Sequence, residues 1–141
     1  MTDTPIANEL LLSYKLARYH VYGSPSFILR IGYFSPELHD IYKTSPKKIA
    51  AFITAFNPAS IELSNQKNKE RNQQLEEKIK TLHLCYLHGE GKCDENERSG
   101  EESFLVFEID QTEAIRLGKE FGQNAIVWIP ENCTPELLLL R

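Results

Sequence analysis

Apolar and polar positions alternate along this chain with periods that change from segment to segment, and the changes mark out elements. Leu10, Leu11, Tyr14 and Ala17 or Arg18 fall at helical spacing and predict a short helix over 7–18. The turn Tyr22-Gly23-Ser24-Pro25 follows, and then the strand FILRIGY at 27–33, closed by Ser35-Pro36. Residues 36–42 suit one or two helical turns before a loop at Thr44-Ser45-Pro46. The dense run IAAFITAF at 49–56 is the length of a buried strand, and Asn57-Pro58 stops it. Ser64 is placed to cap a helix that runs to about Thr81. Further strands are expected at 82–87, 103–109 and 125–129. Between the last two of these, Asp110 and Glu113 form a capping-box pattern at the head of a helix, and Gly122 can end it in a left-handed conformation.

This order predicts an α+β fold: a mostly antiparallel sheet with its two main helices on one face. The last six elements match the ferredoxin-like split βαβ pattern, with an extra N-terminal strand and the short N-terminal helix added to it. The 141 residues are read as a single domain. HGEGKCDENERSGEE at 88–102 reads as a solvated loop, either an idle connection or a lid.

Composition narrows the class. A hydrophobic share of 41% and a charged share of 26% are those of an ordinary soluble domain. The net charge of -4 argues against broad nucleic-acid binding, which needs a basic face. No apolar run approaches the ~20 residues of a membrane span. The start, MTDTPIANELLLSYK, lacks the basic region of a secretory signal, and three cysteines suit reduced thiols. A cytoplasmic protein is expected.

The candidate chemistry begins on the helix after Ser64. Leu75, Ile79 and Leu82 form its buried stripe, but the same stripe continues toward the helix start as Arg71, Asn68 and Ser64. A polar inward stripe beside the end of a strand suggests a pocket, because strand ends and helix N-termini supply donors to ligands. Thr54, Asn57, Ser60, Ser64, Asn68 and Arg71 are therefore candidates; the alternative is that the helix overhangs the sheet and these groups are merely wet. His83, Cys85, His88 and Cys93 are zinc-ligand types at poor spacing, so neither a metal nor a cofactor is expected.

The segments FILRIG (27–32), AAFITAFNPAS (50–60), NKERNQQLE (68–76), EESFLVFEID (101–110) and FGQNAIVW (121–128) resemble the bacterial family known as domain of unknown function 3293. The likeness covers about 19–128 and leaves 129–141 as a tail. It implies a small bacterial protein with motifs of the form TAxNP, NxxR, ESFLV and FGQ. These fall here at Thr54, Asn57 and Pro58, at Asn68 and Arg71, at Glu102 and Ser103, and at Gly122 and Gln123. Typical members carry a tryptophan just before the Glu, whereas this chain has Arg98-Ser99-Gly100-Glu101.

Motif and stripe together give eight candidate ligand-binding residues: Thr54, Asn57, Ser60, Asn68, Arg71, Glu102, Ser103 and Gln123. An Arg, a Glu and several amides suit a small polar or anionic ligand, nucleotide-like or bearing a carboxylate or phosphate. Whether such a site is an enzyme's is left open. On this reading the polar side chains face a cleft, and Asn68→Leu or Arg71→Leu leaves the fold intact. The other reading of the same residues is structural, with Arg71 and Glu102 as an ion pair. The second function class is an interaction or oligomerising module, a homodimer joined through the apolar tail CTPELLLLR.

Overall fold

A computed structural model describes residues 6–93 and 100–140. It is an α+β protein built on a seven-stranded, curled antiparallel sheet with four α-helices. The elements run α1 (Asn8–Leu16), β1 (Arg18–Val21), β2 (Phe27–Leu29), α2 (Pro36–Tyr42), β3 (Ala50–Thr54), α3 (Asn65–Thr81), β4 (Tyr86–Lys92), β5 (Glu101–Phe107), α4 (Gln111–Glu120), β6 (Ala125–Ile129) and β7 (Glu136–Leu139). The strand order across the sheet is β2-β1-β4-β5-β3-β6-β7.

The run AAFIT becomes an interior strand because both of its faces are covered. Ala51 and Ile53 join Leu75 and Ile79 of α3 and Ala114 and Leu117 of α4 in one core, with Phe104, Val106, Ile126 and Trp128. Ala50 and Phe52 belong to a second core on the opposite face, with Leu38 and Tyr42 of α2, Tyr19 and Val21 of β1, and Leu29 of β2. Tyr42 locks this layer by donating its hydroxyl to Ile129 O at 2.8 Å. Close packing of α4 depends on Gly118: a Cβ there would come within 2.5 Å of Leu140 Cδ1.

Several local expectations are corrected. The sheet is larger than anticipated, because β1 occupies 18–21, of which only Arg18 was assigned to the first helix, and β7 occupies the tail. The stretch read as a loop from His88 is strand as far as Lys92, and pairing resumes at Glu101; residues 94–99 of that loop lie outside the described residues. The third expected strand starts at Tyr86 rather than Leu82, because α3 ends with a turn in which His83 has a φ of 58°. Asp110 does not cap α4 with its side chain, since its carboxylate is turned toward Lys47 at 3.2 Å, and Glu113 bonds Arg116. Ser64, in contrast, does cap α3, accepting from the Lys67 N–H at 3.2 Å.

The loop glycines have a packing reason. Gly89 and Gly91 lie on β4 between β1 and β5. A Cβ on Gly89 would stand 2.4 Å from His20 O and 2.8 Å from the Phe52 ring. With that space clear the sheet curls, and Tyr19 of β1 meets Phe52 of β3 edge-on, with ring centroids 5.3 Å apart, although two strands separate them in the sheet. No helix among the described residues is long and apolar enough to cross a membrane.

Candidate functional site

Among the described residues, those between β3 and α3 hold three of the left-handed non-glycine positions. Asn57, Ala59 and Ser60 have φ of 43°, 53° and 60°, a left-handed region that side chains other than glycine seldom adopt. Such a loop persists only when its surroundings overdetermine it. Asn68 supplies much of that: its Oδ1 accepts from Asn57 N–H at 2.9 Å and its Nδ2 donates to Asn57 Oδ1 at 2.8 Å. The Leu63 N–H also donates to Asn57 Oδ1, and Asn57 Nδ2 donates to Glu101 Oε2 at 2.9 Å. On the other side, Ala59 N–H donates to Gly122 O at 2.7 Å. Gly122, with a φ of 70°, has no side chain to push against Pro58.

The remaining candidates bind the same corner together. Thr54 Oγ1 donates to Glu102 O at 2.6 Å and accepts from Phe56 N–H. Asn72 accepts from Ala55 N–H and donates to Glu102 O. Gln123 Nε2 donates to Phe56 O at 2.9 Å, and Ser103 Oγ to Glu101 O at 2.8 Å. Arg71 Nε donates to Ala55 O at 2.9 Å, and its other arm reaches Phe121 O at the end of α4. Among the described residues no Arg71–Glu102 ion pair forms. The polar stripe on α3 is thus the clasp that holds β3, β5 and the end of α4 in register.

Beside this corner lies a cleft of about 430 Å³, on the sheet face opposite α3 and α4. Its apolar wall comes from alternate strand positions: Phe52 of β3, Tyr19 of β1, and Ala125 and Val127 of β6. Leu10 and Tyr14 of α1 roof it, and no residue of that helix is buried. Tyr14 holds the roof down: its hydroxyl lies 2.8 Å from Ser60 Oγ and accepts from Asn124 Nδ2 at 3.0 Å. Burial, with Cys93, Tyr14 and Glu101 nearby, pushes the Tyr19 phenol far above its ordinary range. Tyr19 remains protonated and donates to Tyr14 O at 2.6 Å.

Of the eight candidates, Thr54, Asn57, Ser60, Asn68, Ser103 and Gln123 line this cleft, whereas Arg71 and Glu102 do not. Arg71 lines a shallow groove on the outer side, between α3 and α4. The reading from sequence passed over Tyr14, Tyr19, Phe52, Glu101, Ala125 and Val127. Period-two spacing at 52/54, 101/103 and 125/127 is the signal that would have brought these face-sharing residues together. His83, Cys85, His88 and Cys93 do not converge: among the described residues, no three metal-ligating side chains come together.

The family model described as "Protein of unknown function (DUF3293)" matches residues 53–126, just over half of the 141. The chain belongs to this family. The matched span runs from the end of β3 to the start of β6 and includes the whole clasp of Asn57, Asn68, Arg71, Gly122 and Gln123. Comparison with curated proteins and with solved structures gave no match.

Proposed function

We propose that this protein binds a small molecule bearing polar groups in the cleft under α1. One observation carries the reading: a cavity of about 430 Å³, within the range of ligand pockets, has an aromatic wall on one side and amide, hydroxyl and carboxylate groups on the other. The strained loop at 57–60 supports it, since left-handed backbone at residues other than glycine is concentrated at functional sites. In this proposal the clasp residues Asn68 and Gln123 position the site, while Tyr14, Phe52, Asn57, Ser60 and Glu101 meet the ligand. The strand order β4-β5-β3-β6, with α3 and α4 as the crossovers, supports reading the centre of the sheet as a ferredoxin-like core that carries the cleft on the face opposite α3 and α4.

The alternative, a homodimer or interaction module working through the tail, has weaker support. Leu137 and Leu138 pair with β6 of the same chain, and Leu140 is buried against Gly118. The test is a thermal-shift screen against a metabolite panel, run on the native chain and on Leu10→Trp, which fills the cleft from its partly exposed roof. A ligand at a hundred times its Kd stabilises by about 2.7 kcal/mol. Hits that disappear in Leu10→Trp are expected; a panel without hits, or hits unaffected by the substitution, refutes the proposal.

A further inference from the structure

Resting on that reading of the cleft, we infer that its ligand is a flat, uncharged ring with an amide-like hydrogen-bonding edge, of the kind a nucleobase, a nucleoside or an aromatic amide presents, and not an anion. The shape of the wall is the first ground. Tyr19 and Phe52 meet edge-to-face at 69°, and with Phe56 and Val127 they offer apolar faces on which a planar ring can lie.

Charge is the second ground. An anionic ligand needs a guanidinium, an ammonium or a concentration of free N–H groups. Among the described residues lining the cleft none is Lys, Arg or His, while Glu62 and Glu101 are both there. The cation of the family motif, Arg71, is spent on two backbone carbonyls and opens onto the other groove. The backbone N–H groups of the corner are also occupied: those of Ala55, Phe56, Asn57 and Leu63 all donate to protein oxygens. Among the described residues, a phosphate or carboxylate would therefore meet two carboxylates in the lining and no cationic side chain. An uncharged edge faces no such penalty, and Tyr14, Ser60 and Asn65 offer it hydroxyl and amide partners.

The experiment uses matched pairs that differ in charge: adenosine against adenosine monophosphate, and benzamide against benzoate. Each is titrated calorimetrically into the full chain and into Leu10→Trp. The neutral member of at least one pair is expected to bind at least tenfold more tightly than its anionic partner, with binding lost in Leu10→Trp. An anionic member that binds as well or better, and is likewise lost in Leu10→Trp, overturns the inference and leaves the cleft as a ligand site. Failure of all four, alongside a cleft-dependent panel hit that is anionic or has no planar ring, also overturns the inference alone; such a hit from another neutral planar ring supports it. If no compound of the panel acts through the cleft, the reading beneath it falls as well.

Discussion

Asn68 offers the sharpest test of the clasp, because the sequence pattern and the geometry disagree about it. As an inward polar residue on an amphipathic helix, it would be expected to tolerate leucine. In the structure it is 3% exposed, and its amide serves three groups: Asn57 N–H at 2.9 Å, Asn57 Oδ1 at 2.8 Å and Leu63 O at 3.4 Å. Leucine removes all three. Asn57 Oδ1 keeps its bond from Leu63 N–H, but the backbone N–H of Asn57 is left with no acceptor. An orphaned group of this kind costs about 1–3 kcal/mol, and the second lost bond adds about 1 kcal/mol. Added apolar burial returns part of that, on the order of 1 kcal/mol. Asn68→Leu should therefore destabilise the fold by about 1–3 kcal/mol, whereas exposed Gln73→Ala on the same helix should stay within about 0.5 kcal/mol. Urea melts of the native chain and both variants, with unchanged m-values, measure the difference. A loss below about 1 kcal/mol at Asn68 would mean that the left-handed loop does not depend on this amide.

Other perturbations probe the remaining supports. Arg71→Leu removes two charge-assisted bonds to carbonyls and should cost about 2–3 kcal/mol in the same melts, yet leave any cleft ligand's affinity nearly unchanged; a selective loss of binding would return Arg71 to the site. Gly89→Ala places a methyl against His20 O and the Phe52 ring, and should cost at least about 2 kcal/mol or prevent folding; a neutral result in thermal melts would contradict the packing described at the curl. Glu90 gives a pH signature. Burial alone would raise its pKa, but the Tyr22 hydroxyl, the Gly100 N–H and Lys92 outweigh that and hold it below the ordinary 4.5. A carboxylate depressed in the folded state stabilises above its unfolded pKa, and that contribution is lost as pH falls through the folded pKa. The native chain should lose stability below about pH 4.5 more steeply than Glu90→Gln; parallel acid melts would refute the arrangement.

Elements whose burial follows a local period were legible in the sequence. The Ser64 cap, the AAFIT strand, the apolar stripe at Leu75 and Ile79 and the Gly122 turn all follow from spacing and turn chemistry within a few residues. What escaped depends on long-range packing. Gly89-Glu90-Gly91 looks like loop because glycine is poor in strands, and only the approach of Phe52 across the curled sheet explains it. The apolar tail was expected to pack on its own sheet, on the N-terminal helix or on a second copy, and only the pairing with β6 selects the first of these. For the candidate site, the amides were found because they stand on one helical stripe and in family motifs. Their role was not legible, because a polar side chain that faces inward can meet either a ligand or a backbone, and spacing does not say which. Asn68 and Arg71 met the backbone. The aromatic wall comes from β1, β3 and β6, which become neighbours only when the sheet closes around it.

The central claim is that the ligand enters the cleft beneath α1. Amide chemical-shift mapping of the isotope-labelled chain during an adenosine titration tests it most directly. Saturable shifts are expected at Tyr14, Ser60, Glu101 and Ala125, with residues on the outer groove such as Gln74, Glu77 and Glu120 unmoved. Shifts centred on the outer groove beside Arg71, with the cleft residues silent, would contradict it.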